Sequence, residues 1–364
     1  MARATYAEEI ERIVAGSAIY RTFGPASPSS ARMARSLRRT VYPAIAAWRP
    51  TRRGIRIGRR AFEGAARAQL LRGIQIEHTQ LGGVPVEWVV APRAASALAQ
   101  RTRVVLYLHG GGYVVGSPRT HRGLTARISQ VSATPVASVD YRMAPEVSLR
   151  DSFADAVAAY RGLLDDGYPP QGIVVSGDSA GGGLAAGVAL AAVEAGLPRP
   201  AGLVLLSPWL DLANGGASHR SNLPTESFIG GQVLDRISRA LVPDEAARHD
   251  WHISPYHAPD ELLRALPPTL VQVGGAELLL DDGVGFAQRI AAAGGTVQLE
   301  RYEGQGHVVA MWVGAPEARR ALRELGDWMR AVLPSELEPA AASDQTIRAA
   351  ADSGGAAGAR DLPA

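Results

Sequence analysis

The chain has 364 residues, 46% of them hydrophobic and 20% charged, which suffices for one large domain or two small ones and excludes wholesale disorder. Basic residues outnumber acidic ones by 38 to 35, and every basic one is Arg. The absence of Lys excludes a P-loop, and the absence of Cys excludes thiolate nucleophiles, disulfides and Cys-based zinc or iron–sulfur sites.

Arg recurs without matching acids from Arg32 to Arg72. With no aromatic-interleaved motif beside it, this run reads as a solvated helix surface, so no nucleic-acid partner is expected. No segment reaches the ~18 consecutive apolar residues that a membrane helix needs. Met1 to Glu11 is mixed polar and acidic and lacks the apolar stretch of a signal peptide. A cytoplasmic protein without stable membrane insertion is the expectation.

In chain order, residues 1 to about 70 read as helical, broken by Gly24-Pro25, Pro28, Pro43 and Pro50. A hairpin follows: Ile74 and Ile76 alternate with polar residues, Gly82-Gly83 turns, and Val84, Val86 and Trp88 alternate again. Short apolar runs then recur at Val104–Leu108, Pro135–Val139, Ile173–Val175, Leu203–Leu206, Leu270–Val273 and Val297–Tyr302. Stretches at helical spacing lie between most of them: Asp151–Asp165, Ala180–Ala195, Asp282–Ala293 and Pro316–Val332. Continuous apolar strands alternating with helices mean an α/β domain over 71–334, with a mostly parallel sheet covered on both faces. Residues 211–268, rich in Ser, His, Pro and Asn, read as an insertion over one strand end. Residues 335–364 are too poor in large apolar side chains to offset ordering entropy and read as a disordered tail.

Gly177-Asp178-Ser179-Ala180-Gly181 follows an apolar strand and precedes a helix. A sharp strand–Ser–helix turn needs glycines two residues either side of a serine whose hydroxyl stands above the sheet, which marks Ser179 as a nucleophile. His109-Gly110-Gly111-Gly112-Tyr113 also follows a strand, and its glycines let backbone N–H groups approach a developing oxyanion. The expected donors are Gly110, Gly111 and Ala180. A Ser nucleophile needs a base oriented by a carboxylate. His307, in the loop after the last strand, is the expected base. Glu277, directly at the end of the 270–273 strand, is preferred as its acid. Asp281 and Asp282 precede a helix starting at Gly283 and suit N-cap positions. Asp211 is a more distant alternative. His249, His252 and His257 share the insertion, but no H-E-x-x-H helix accompanies them, and no metal or cofactor is expected. His78, His121 and His219 carry no motif and read as surface or packing residues. The order Ser…Glu…His is that of the α/β-hydrolase fold.

The His109–Gly112 and Gly177–Gly182 motifs, with Asp140-Tyr141-Arg142-Met143-Ala144-Pro145-Glu146, resemble the bacterial hormone-sensitive lipase family (family IV) of carboxylesterases over roughly residues 74–330. The resemblance implies that Glu277 opens the segment where the family often has Asp, in Glu277-Leu278-Leu279-Leu280-Asp281. It also implies that residues 1–70 form a helical cap over the site. Val147-Ser148-Leu149-Arg150 departs from the family's apolar, Pro-rich continuation at that point. The function expected is hydrolysis of small or short-chain acyl esters or lactones through an acyl-enzyme. The alternatives are an acyltransferase with the same triad and a non-catalytic small-molecule receptor. A small-molecule ester is the expected partner, self-association as a homodimer is compatible with this reading, and Tyr113, Trp209 and Trp312 are candidate pocket residues.

Overall fold

The computed structural model describes residues 18–65 and 72–334; the expected tail at 335–364 and the expectation about Met1–Glu11 lie outside them. The helical reading of the N-terminal segment holds only in part. Ala18–Phe23 (β1) is a strand that pairs in parallel with Val297–Tyr302. As an edge strand it shows one half-buried face, Ile19, Arg21 and Phe23, too weak an alternation to stand out in six residues. Phe23 stacks on Tyr302 with ring centroids 4.9 Å apart, and Arg21 reaches Glu324 at 3.0 Å. Helices α1 (Pro28–Thr40), α2 (Tyr42–Ala47) and α3 (Arg52–Ala65) follow, each opening near a proline or a Thr-Arg turn.

The hairpin forms as its pattern indicates. β2 (Gln75–Leu81) and β3 (Val84–Val90) pair antiparallel around Gly82 and Gly83, both at positive φ. Gly82 is required twice over, because a Cβ there would also stand 2.1 Å from the Ala158 carbonyl. A short helix, α4 (Ala95–Ala99), leads into the repeating part of the chain. There β4 (Val104–Leu108), α5 (Pro118–Ser132), β5 (Val136–Val139), α6 (Leu149–Asp165), β6 (Ile173–Asp178), α7 (Ala180–Glu194) and β7 (Gly202–Leu206) alternate. After three short helices, α8 (Ser218–Ser221), α9 (Val233–Leu241) and α10 (Asp260–Arg264), come β8 (Thr269–Gly274), α11 (Leu280–Ala292), β9 (Val297–Tyr302) and α12 (Pro316–Val332). Helix α5 was not among the expected helices, its apolar stripe being only Leu124, Ile128 and Val131. Its start is instead written in Ser117-Pro118-Arg119-Thr120, where Ser117 and Thr120 exchange capping hydrogen bonds.

Among the described residues the nine strands form one sheet in the order β1-β9-β8-β7-β6-β4-β5-β3-β2, parallel except where β3 meets β2 and β5. The central strands are buried along their whole length, as strands covered on both faces must be. Their side chains divide by parity. Val104, Leu106 and Leu108 join the core under α6, α7 and α11, while Val105 and Tyr107 join the one under α5 and α12.

Trp328 of α12 is fully buried, and its ring lies 2.8 Å from the position a Cβ would take on Gly202 at the start of β7. Trp328→Ala should destabilise the protein by about 3–5 kcal/mol, and Trp328→Phe by distinctly less, because the smaller loss leaves a smaller cavity. The midpoint of urea unfolding for the two variants checks this ordering.

Candidate active site

Ser179 sits between β6 and α7 at φ +54°, a conformation that costs a non-glycine residue of the order of 1–3 kcal/mol. The surroundings hold it there. Its N–H donates to Leu206 at 2.9 Å, and its carbonyl accepts from Gly182 at 3.0 Å and Trp209 at 2.8 Å. The flanking glycines allow β6, α7 and the end of β4 to meet: a Cβ on Gly177 would stand 2.2 Å from the Gly181 carbonyl, and one on Gly181 2.0 Å from that of Leu108.

His307 and Glu277 come together at the ends of β9 and β8. The His307 Nδ1–H donates to Glu277 Oε2 at 2.6 Å, and Glu277 Oε1 accepts from the Gly274 N–H at 2.7 Å. Glycine at 274 permits this approach, since a Cβ would stand 2.4 Å from the Gly306 carbonyl. The histidine loop is fastened on both sides: Val308 N–H donates to Ser207 Oγ at 2.9 Å, and Trp312 Nε1–H to the His307 carbonyl at 2.8 Å. Burial disfavours the imidazolium, but the Glu277 hydrogen bond and charge, with Glu226 and Asp178 beyond, outweigh it and hold the His307 pKa above the ordinary imidazole value.

Ser179 and His307 line the same cavity, of about 410 Å³. Its floor is Gly111, Gly112, His121 and Asp178. Its walls are apolar: Ile45 of α2 and Trp48 just after it, Ile57 and Phe62 of α3, Phe228, and Val233 and Ile237 of α9. Trp312, one of the candidate pocket residues, lies in this wall. Tyr113 and Trp209 do not. Both are buried, tilted against one another at 5.8 Å, and Trp209 donates its Nε1–H to Asn214 at 2.9 Å, so they are core.

A second correction concerns Gly110. Its N–H donates to Asp178 Oδ1 at 3.0 Å and is therefore spent, while Gly111 and Gly112, at φ +122° and +63°, face the cavity. Among the described residues no hydrogen-bond partner is found for the N–H groups of Gly111, Gly112 and Ala180. Asp178 also accepts from Tyr107 Oη at 2.6 Å and lies 3.5 Å from His121 Nε2. Burial works against its charge, yet His121 and the Tyr107 hydrogen bond hold it ionised, below the usual carboxylate value. His109 is the opposite case: burial and the neighbouring His121 charge push its pKa down to about 3. Neutral, it donates Nδ1–H to the Gly110 carbonyl at 2.9 Å and stacks on Tyr141 at 4.4 Å, stiffening the glycine loop.

The remaining acids are occupied elsewhere. Helix α11 begins at Leu280 rather than Gly283, so Asp281 and Asp282 sit in its first turn and serve neighbouring segments. Asp281 Oδ2 accepts from Ser218 N–H, and Asp282 from the N–H groups of Leu210 and Asp211 and from His219 Nε2 at 3.0 Å. Asp211 pairs with His257. Glu226 was missed: wholly buried beside His307 and Glu277, it accepts from the N–H groups of residues 227, 228 and 229 and of Leu278. Only its Thr-Glu-Ser turn context marked it, and that pattern is common on surfaces. His78 is exposed beside Glu87, and none of the cavity residues forms a metal-ligand set among the described residues.

A profile described as alpha/beta hydrolase fold matches residues 105–311. An acetyl-hydrolase of Streptomyces hygroscopicus is 38% identical over 69% of this chain and 81% of its own. The esterase LipU of Mycobacterium tuberculosis is 37% identical over 63% of this chain and 77% of its own. A solved esterase of the bacterial hormone-sensitive lipase family superposes with a TM-score of 0.76 at 36% identity, over 85% of this chain and all of its own.

Replacing Glu277 by Gln removes the hydrogen-bonded charge that raises the His307 pKa. In an NMR titration of the ring the midpoint of Glu277→Gln should move to lower pH than in the unmodified protein. An unchanged midpoint would assign the shift to Glu226 and Asp178.

Proposed function

The chain belongs to the bacterial hormone-sensitive lipase family of α/β-hydrolases and is a carboxylic-ester hydrolase, and on that premise we propose that it acts through an acyl-enzyme on esters or lactones with small or short acyl groups. The observation that carries this reading is the 2.6 Å Glu277–His307 pair, whose histidine lines the same cavity as Ser179.

In this mechanism Ser179 Oγ attacks the ester carbonyl carbon and its proton passes to His307 Nε2. Glu277 fixes the ring with Nδ1–H toward the carboxylate and Nε2 toward the serine, and stabilises the imidazolium once formed. The carbonyl oxygen becomes an oxyanion, met by the free N–H groups of Gly111, Gly112 and Ala180 in place of the expected Gly110. The start of α7 adds its positive end. The C–O bond to the alcohol then breaks, and His307 returns the proton to the departing oxygen. Water, deprotonated by His307, adds to the acyl carbon and releases Ser179. Because His307 must be neutral to start, kcat/KM should rise with pH through its raised pKa.

Support for small acyl groups comes from the cavity. Its volume of about 410 Å³ lies toward the lower end of ligand pockets and must hold both halves of the ester. Helices α2 and α3 close one side, so an added methylene gains burial only until the space is filled.

Ser179→Ala should keep the fold and lose activity by on the order of 10⁴-fold or more, and wild-type turnover in that variant would overturn the mechanism. Single Ala substitutions at Glu277, Asp281 and Asp282 should give the largest fall in kcat at Glu277. Across nitrophenyl esters from acetyl to palmitoyl, kcat/KM should peak among the short chains. A profile still rising at palmitoyl would refute the size limit, and transfer to an added alcohol outrunning hydrolysis would make the protein an acyltransferase.

A further inference from the structure

Outside the cavity, three side chains converge on one point. Asp211 lies in the loop after β7, His249 closes the turn Ala246–His249, and His257 closes the turn Pro255–His257. His257 Nε2 stands 3.0 Å from Asp211 Oδ1 and 3.3 Å from His249 Nδ1, and the three donor atoms all lie within 4.8 Å of one another. None of the three residues lines the Ser179 cavity.

Hydrogen bonding alone accounts poorly for this arrangement. An imidazole nitrogen has one in-plane direction, carrying either a proton or a lone pair. If His257 Nε2 donates to Asp211, its proton is spent and the His249 nitrogen faces an N–H already engaged. If it instead accepts from His249 Nδ1–H, its lone pair faces a carboxylate oxygen. A cation at the centre removes the conflict, because each of the three atoms then directs one lone pair at it. The two distances from His257, 3.0 and 3.3 Å, are close to the roughly 3.3–3.4 Å that separates ligands held at about 2.0–2.1 Å in a tetrahedron, and the remaining pair lies within 4.8 Å. The carboxylate is already aimed, with Ala213 N–H on Oδ1 and Gly215 N–H on Oδ2, each at 2.9 Å.

We propose that Asp211, His249 and His257 form a binding site for a zinc-type divalent cation, with water in the fourth position on the exposed His249 side. Two imidazoles and one carboxylate select zinc and its transition-metal neighbours over magnesium or calcium. His252, the third histidine of the stretch, is outside the set, turned to Asp250 at 2.7 Å and Glu194 at 3.7 Å. The site's role is structural. It fastens two turns of the 211–268 segment to the loop after β7, which contains Trp209, whose N–H holds the Ser179 carbonyl.

The test uses the full chain without a histidine tag, stripped with chelator, and Zn²⁺ titrated against a chromophoric competitor. One equivalent should bind, and the unfolding temperature should rise with free Zn²⁺. His249→Ala and His257→Ala should each weaken binding by more than about 100-fold, beyond the loss typical of removing an outer partner of a ligand. His252→Ala should bind like the unmodified protein, and Mg²⁺ should leave the unfolding temperature unchanged. Circular dichroism and retained ester hydrolysis in His249→Ala exclude misfolding as the cause of lost binding. Absence of stoichiometric Zn²⁺ binding, or binding that survives His249→Ala and His257→Ala, would overturn the proposal.

Discussion

The site depends on a backbone constraint at Ser179. A serine at φ +54° is tolerated because β4, β6 and α7 pack so closely around it that no relaxed alternative has room. That closeness demands glycine at 177 and 181, where any side chain would meet a carbonyl oxygen of β4 or α7 at about 2 Å. It also brings Asp178 against the Gly110 N–H, so the strained turn and the glycine loop are joined by a charged hydrogen bond. The two sequence motifs, far apart in the chain, are therefore one piece of structure. Fixing the serine sets where its hydroxyl stands, and fixing the loop sets which N–H groups are spent and which remain free.

The second organising feature is the treatment of buried carboxylates. Four acids stand beside histidines: Glu277 with His307, Asp178 with His121, Asp282 with His219 and Asp211 with His257. In each case burial opposes an isolated charge, and the imidazole or a set of backbone N–H groups makes it tolerable. Only the first of these pairs stands on the wall shared with Ser179 through its histidine while its acid stays wholly enclosed. Asp178 and His121 also reach the cavity, but Asp178 is committed to Tyr107 and Gly110. Proximity of acid and imidazole thus recurs around the sheet, and access to the serine is what separates the proposed catalytic pair from the rest.

The sequence was most legible where local chemistry is sharp. The strands 104–108, 203–206 and 297–302 fall where their apolar runs end, and α12 occupies the expected 316–332, because both faces of the strands and one stripe of the helix are buried. The GxSxG turn and the position of Glu277 at the end of β8, where it meets His307, were legible because a strand end fixes direction as well as position. The failures have physical causes too. Strand β1 exists through pairing with a segment nearly three hundred positions away, which no local pattern reports. Gly110 was assigned a free N–H since the sequence cannot show that Asp178 takes it. Tyr113 and Trp209 flank the motifs in sequence, but each turns its ring into the core. Glu226 carries no motif, and its significance comes only from the burial that sets it beside His307.

The helical segment 28–65 is bound to the rest of the molecule by polar anchors as much as by apolar contact. Arg38 donates to the carbonyls of Leu223 and Glu226, Tyr42 Oη accepts from Gly231 N–H at 2.9 Å, and Arg236 donates to the Ala46 carbonyl at 2.6 Å. Arg59 reaches the carbonyls of Val114 and Ala144 and the Glu146 carboxylate. The arginine run read as a solvated surface therefore includes two fasteners. The consequence is mechanical. Residues 223–237, which Arg38, Tyr42 and Ala46 grip, also provide Phe228, Val233 and Ile237 of the cavity wall and the Glu226 carboxylate near His307. Glycine at 230, where a Cβ would stand 2.2 Å from the Ala46 N, lets the two segments lie backbone to backbone. A shift of α1 or α2 would thus move the apolar wall and the buried charge together, so the size of the cavity and the electrostatics of the histidine are set by the same contacts.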